Sequence, residues 1–236
     1  MCAICVEGEK SIKALKKPNI NKILKKQLKK QVSLYKIHKK EFVHQRKTFN
    51  LQKESLKKGQ VLLVLDFKEN VKINQCPVDQ ISSEFYSSYQ RTVFGIVMYY
   101  FDEDSLQIQK CFYDIFSDNT KHNSLFVIKA SRLLNTQQSF LKHNYSDINI
   151  WMDNSPNQFK TKELFSYLCK LPVFYDNVQW NFFIEYHGKS PYDTRFSQIS
   201  NMLKLYVMNI NNPLIQNTQE LIQAISNQQK DQKNFL

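Results

Sequence analysis

The sequence predicts an α/β protein, with a mixed five-stranded sheet flanked by helices and a basic helical arm in front of it. Three observations carry this expectation. Three apolar runs rich in β-branched and aromatic residues succeed one another between residues 60 and 116. Two later runs, at 147–152 and 178–187, are each followed by a helical pattern. The net positive charge sits in the first 60 residues. Sequential strands joined by turns pair antiparallel, whereas strands separated by helices return in parallel, so this order makes a mixed sheet covered on both faces.

The arm comes first. Residues 1–60 hold 17 Lys and Arg against 4 Asp and Glu, a net of +13, and residues 61–236 hold 16 against 17, a net of −1. Lysines cluster at Lys25, Lys26, Lys29, Lys30, Lys39 and Lys40, over apolar residues at Ile20, Ile23, Leu24, Leu28, Val32, Leu34, Ile37, Phe42 and Val43. Spacings of three and four make helices with one apolar stripe and one cationic face. Pro18 and Asn19 break them. Clustered ammonium groups suit phosphate, because binding releases condensed counterions, and they give affinity with little base specificity.

The body follows in order. Gln60–Phe67 is a continuous apolar run ended by Asp66-Phe67, read as a buried strand with Asp66 at its far end. Residues 92–101 form a second strand, Asp102–Ser105 a turn, and Leu106–Phe116 a third strand. His122–Leu134 reads as a helix with Ser124 as its cap. Asp147–Met152 is a fourth strand, and Ser155-Pro156 opens a helix whose buried stripe is Leu164, Phe165, Leu168 and Cys169. Val178–His187 is a fifth strand, and a helix runs from Asp193 through Tyr206. After Pro213 a short helix carries Leu214, Leu221, Ile222 and Ile225, and the polar end from Asn227 frays. The expected divisions are a basic arm at 1–58, a core at 59–210, and a helix and tail at 211–236. This element order is that of a ribonuclease H-like fold, in which the first and fourth strands are neighbours.

Three acids then fall at the ends of elements: Asp66 after the first strand, Asp153 after the fourth, Asp193 at the start of a helix. Carboxylates brought together repel unless a cation lies between them, and hard oxygen donors suit Mg²⁺ or Mn²⁺. Two such ions about 3.5–4 Å apart serve phosphodiester chemistry. Glu185 and Glu163 are rival third acids. Each acid taken alone is also an ordinary turn-former or helix cap.

Residues 34–204 resemble the catalytic region of DDE/D-type transposases, specifically a group of eukaryotic transposase-derived proteins. His38, Gln45 and the segment KESLKKGQ precede the first strand in that style. Asp66-Phe67 with Glu69-Asn70 is similar to the group's DF-x-EN-Y motif, with Val71 in place of tyrosine. Gln80–Tyr100 resembles its aromatic β segment, and Ser117-Asp118 with His122 its SD…H turn. Asp153-Asn154 and Gln158-Phe159-Lys160 resemble D-G-x-x-x-Q-[FY]-K, with Asn154 replacing glycine. Trp180, Phe182-Phe183 and His187-Gly188-Lys189 resemble its W-x-FF…HGK strand. After the third acid the group has a glycine-rich turn, whereas this chain reads Thr194-Arg195-Phe196-Ser197. The resemblance implies a two-metal DNA nuclease and strand-transferase with Asp66, Asp153 and Asp193 as catalytic and metal residues. It also implies nuclear localisation, and DNA contacts from the lysines above with His187 and Lys189. The lost glycines motivate a second reading, a domesticated core that binds DNA or scaffolds a complex, as a homo-oligomer or with other subunits, without cutting.

The rest of the composition narrows the field. The 4 glycines are too scattered for a phosphate-cradling loop. No apolar run approaches the roughly 18–20 residues that span a bilayer, so no membrane role is expected. Five cysteines, Cys2, Cys5, Cys76, Cys111 and Cys169, suggest a reduced intracellular chain. Cys2 and Cys5 form one CxxC, which supplies two of the four ligands that zinc needs. His38 and His44 are distant in sequence and Lys-flanked, so two ordinary thiols are the favoured reading and zinc is not expected as a cofactor.

Overall fold

The computed structural model describes residues 2–73, 89–184, 192–209 and 211–233. Helix α1 (Ala3–Leu15) and the long helix α2 (Lys22–Glu54) come first. They are separated by a turn in which Asn19 adopts a positive φ of 64°, and Asn21 caps α2 by accepting from the Ile23 N–H at 2.9 Å. The strands are β1 (Gln60–Ile73), β2 (Tyr89–Asp102), β3 (Gln107–Ser117), β4 (Asp147–Met152) and β5 (Asn177–Phe182). Helices α3 (Ser124–Leu134) and α4 (Gln138–Leu141) precede β4, and α5 (Pro156–Phe159) and α6 (Lys162–Leu168) follow it. Helices α7 (Asp193–Met208) and α8 (Thr218–Lys233) close the chain. No helix among the described residues is long and apolar enough to cross a membrane.

The sheet is mixed, five-stranded and open, in the order β3-β2-β1-β4-β5. The β1–β2 and β2–β3 pairs are antiparallel; β1–β4 and β4–β5 are parallel. Period-two alternation divides the sheet's side chains between two cores. Val61, Leu63, Leu65, Ile148, Ile150 and Met152 face one core, which α3 and α6 cover with Phe126, Val127, Leu164 and Leu168. Leu62, Val64, Val97 and Trp151 face the other, which α7, α8 and the last turns of α2 cover.

Several boundaries differ from the expectation for identifiable reasons. Strand β1 does not stop at Phe67: it continues to Ile73 through an irregularity between Lys68 and Val71, so Asp66 lies mid-strand. A bulge lets a polar segment stay paired while turning its side chains. Strand β5 ends at Phe182, and the expected residues from Glu185 to His187 lie outside the described residues. Asn123, not Ser124, caps α3, accepting from the Phe126 N–H at 3.0 Å, while Ser124 is buried. The helix opened by Pro156 breaks at Lys160, and Thr161 caps a second one; of its expected stripe, Leu164 and Leu168 are buried and Cys169 is exposed. The last helix spans 16 residues and reaches Lys233 instead of fraying from Asn227.

The apolar stripe expected on α2 is only partly buried. Ile23 is 70% exposed, and Leu24, Leu34, Ile37 and Val43 are exposed as well. The part of α2 nearest β1 behaves differently: Phe49 packs edge-on against Trp151 at 5.4 Å and Phe183 at 5.5 Å. Gln52 accepts from Trp151 Nε1 at 2.7 Å, and Gln45 accepts from the Ile184 N–H at 2.8 Å. The expected division at residue 58 therefore falls after a helix whose last turns belong to the core.

Candidate functional site

The parallel ladder between β1 and β4 ends at the pair Leu65 and Met152. The next residue in each segment is an acid, Asp66 within β1 and Asp153 just past the end of β4. Leu65 and Met152 both face the α3/α6 core, so alternation along β1 turns Asp66 to the opposite face, while Asp153 leaves β4 directly after Met152. Both acids are half-buried. The face of Asp66 is the one covered by α7, whose first residue is the exposed Asp193.

A row of residues across the sheet positions the start of α7. Asp66 pairs with Gly95, and Gly95 pairs with Asp114. Directly paired residues point to one side, so the absent side chain of Gly95 leaves a gap between two carboxylates. The Tyr192 ring fills it: a Cβ on Gly95 would lie 2.3 Å from Tyr192 Cε1. Tyr192 is wholly buried. Its hydroxyl donates to the Tyr113 carbonyl at 2.9 Å and to Asp114 Oδ1. Arg195, one turn on, donates to Asp114 Oδ2 from Nε at 3.0 Å and from Nη2 at 2.5 Å. Both members of this ion pair are largely buried, with side-chain exposures of 15% and 14%.

The electrostatics follow from that packing. Burial, and then the Asp114 carboxylate, push the Tyr192 phenol far above its usual range. Burial opposes the charge on Arg195, but the hydrogen bonds and charge of Asp114 outweigh it and hold the guanidinium above its ordinary value. Asp193 is thus attached to a segment clamped on both sides, by Tyr192 before it and Arg195 after it. An open groove of about 470 Å³ runs between Lys68 and Glu69 on β1 and Asp193, Phe196, Ser197 and Ser200 on α7.

A second polar cluster sits at the bulge of β1. Asn70 Oδ1 accepts from Thr92 Oγ1 at 2.9 Å and lies 2.7 Å from His122 Nε2, which donates to it. The His122 ring stacks on Phe67 at 4.5 Å. Burial lowers the His122 pKa, so the neutral ring is the favoured form.

The residues read from the sequence are brought together unevenly. Asp66 and Asp153 each follow the last registered pair of the β1–β4 ladder, and Asp193 opens the helix that covers the face of Asp66. Among the described residues, however, the three acids do not form a cluster in which all donor oxygens lie within 4.8 Å of one another. Glu163 is exposed in the first turn of α6. Glu185, His187 and Lys189 lie outside the described residues. Lys25, Lys26, Lys29, Lys30, Lys39 and Lys40 are all exposed along α2. Cys2, Cys5 and His38 do meet the 4.8 Å spacing, while His44 is exposed elsewhere on α2. Gly95, Asp114, Tyr192 and Arg195 were missed. A glycine inside an apolar β-branched run, signalling close approach by another group, was the available clue.

Comparison with known proteins adds one relationship. Residues 45–235, most of the chain, match the family described as "Domain of unknown function (DUF8701)". The chain belongs to that family. Its span takes in all five strands, the three acids and the Asp114–Tyr192–Arg195 clamp, and it begins at Gln45, inside α2. No curated protein matches the chain.

Proposed function

We propose that this chain is a transposase-related, ribonuclease H-like core whose function is metal-dependent phosphodiester cleavage or strand transfer on DNA. One observation carries the reading: Asp66 and Asp153 each directly follow the last pair of the β1–β4 ladder, Leu65 and Met152, and Asp193 opens α7, which packs on the sheet face to which Asp66 turns. The strand order, with β1 and β4 as neighbours, supports the ribonuclease H-like assignment. Two half-buried carboxylates, one within β1 and one just past its neighbour β4, suit a hard divalent cation, which keeps waters and accepts phosphate oxygens as further ligands. Asp66 and Asp153 would hold Mg²⁺ or Mn²⁺, and Asp193 would complete the acid set from α7. Bound there, the metal supplies charge neutralisation at the phosphate and a more acidic water or hydroxyl. The exposed lysines of α2 would hold the DNA backbone.

A second reading is favoured by the residues after Asp193. Where related transposases have a glycine-rich turn, Arg195 is fixed to Asp114 and Phe196 is buried. A start to α7 so immobilised fits a core that has kept its architecture and its DNA affinity while losing turnover.

The test is cleavage and strand transfer on labelled duplex DNA with Mn²⁺, comparing the wild-type chain with Asp66→Ala and Asp153→Ala. Metal-dependent products absent in both variants support the enzyme. Salt-sensitive binding without products, unchanged in the variants, supports the binding core. Products that persist in both variants remove the acids from the chemistry.

A further inference from the structure

We propose that Cys2, Cys5 and His38 form a zinc site that clamps α1 to α2. The site is independent of the acid-based reading. Cys2 caps α1 and Cys5 lies in its first turn, so the i, i+3 spacing turns both thiols to one side. His38 comes from the middle of α2 and is buried, as is Cys2. Its Nε2 lies 3.3 Å from Cys2 Sγ, and the three donor atoms are all within 4.8 Å of one another. Zinc ligands at about 2.0–2.3 Å in a tetrahedron are separated by roughly 3.3–3.8 Å; the Cys2–His38 contact already has that length, and Cys5 lies within 4.8 Å of both donors. All three donors are of the kind zinc prefers, and two sulfurs with an imidazole disfavour Mg²⁺ and Ca²⁺.

The hairpin between the helices is built to hold this geometry. Ser11 donates to Gln31 at 2.6 Å. One turn further, Gly8 abuts Tyr35 so closely that a Cβ would lie 2.3 Å from the ring carbon Cγ. The next step along the antiparallel pair brings Cys5 and Cys2 to His38. Two close-packed rungs thus set the register of the third, which contains the metal donors. An opening of about 240 Å³ lies beside His38, lined also by Glu7 and Glu41. Neither Cys2 nor Cys5 is disulfide-bonded, so each can lose its proton to become the thiolate that ligates zinc.

The test is titration of the full chain with Co²⁺ under reducing conditions, followed by Zn²⁺ displacement. The expected result is one equivalent bound, with thiolate-to-cobalt charge transfer and the visible bands of tetrahedral cobalt, both erased by Zn²⁺. His38→Ala should weaken binding by more than the ~10–100-fold that loss of a ligand's supporting partner costs. His38→Cys should restore binding with a stronger charge-transfer band, which separates lost ligation from lost folding. Zinc should also raise the unfolding temperature of the wild-type chain but not that of Cys2→Ser/Cys5→Ser. Absence of the cobalt bands, or bands unchanged in His38→Ala, would overturn the proposal.

Discussion

Replacing Gly95 with alanine tests the packing at the start of α7 most directly. The added methyl carbon would sit 2.3, 2.4 and 2.5 Å from three carbons of the Tyr192 ring. Carbon atoms rest at about 3.5–4 Å, so the ring must withdraw by more than ~1 Å. It has no empty space to enter, being wholly buried, and its hydroxyl is tied to Tyr113 and Asp114. Overpacking costs about 1–3 kcal/mol, and loosening a buried hydrogen bond adds roughly 1 kcal/mol. Alanine recovers about 0.5–1 kcal/mol over glycine within a strand. The net expectation is a loss of roughly 1–3.5 kcal/mol, or about 2–14 °C in Tm for a chain of this size. Differential scanning calorimetry of the full chain measures it. A double-mutant cycle with Tyr192→Ala assigns it, because alanine at 95 should cost little once the ring is gone. A Gly95→Ala protein within about 1 °C of wild type, or an equal loss in both backgrounds, would refute the reasoning.

Other expectations follow from the same contacts. Arg195→Met should destabilise by about 3 kcal/mol by leaving Asp114 largely buried without its cation, and adding Asp114→Leu should recover much of the loss; urea unfolding of the single and double variants checks this. The His122 pKa is lowered in the folded state, so the unfolded state binds more protons as pH falls through about 6.5, and stability should decline there. His122→Gln should flatten that decline, read from unfolding midpoints at about pH 7.5 and pH 5.5. Charge reversal at Lys25, Lys26, Lys29 and Lys30 should weaken duplex binding and reduce its salt slope by roughly 1 per lost phosphate contact, measured by anisotropy titrations.

The sheet was legible because its strands are long, apolar and separated by strong punctuation. The turn expected at Asp102–Ser105 forms one residue later, at 103–106 between β2 and β3, with Asp102 accepting from the Ser105 N–H at 3.1 Å. The prolongation of β1 beyond Phe67 was not legible, because Lys68, Glu69 and Asn70 carry no strand signal. They are held by the β2 pairing of Lys68 and Val71 on either side and by Asn70's bonds to Thr92 and His122. The cap of α3 was hidden because Asn123 sits beside Ser124 and only the backbone angle selects between them; that of α6 was hidden because the pattern from Pro156 reads as one helix, although it breaks at Lys160. The pairing of β1 with β4 just before Asp66 and Asp153 followed from element order. The clamp behind Asp193 did not, because Asp114, Tyr192 and Arg195 meet across 78 and 81 residues, and no local pattern encodes such a meeting.

The family begins at Gln45, yet α2 passes that point without a break. What lies before it is joined not by a tether but by a shaft of 33 residues, about 50 Å long. Its bearing is therefore a matter of helical phase. One residue inserted between Lys40 and Gln45 would turn the cationic face and the Cys2–Cys5–His38 end through about 100° relative to the sheet. Seven inserted residues would bring them back to within about 20°, displaced outward by roughly 10 Å. Sensitivity of any joint activity to insertion length, with a period near 3.6 residues, would be the signature of that rigid coupling.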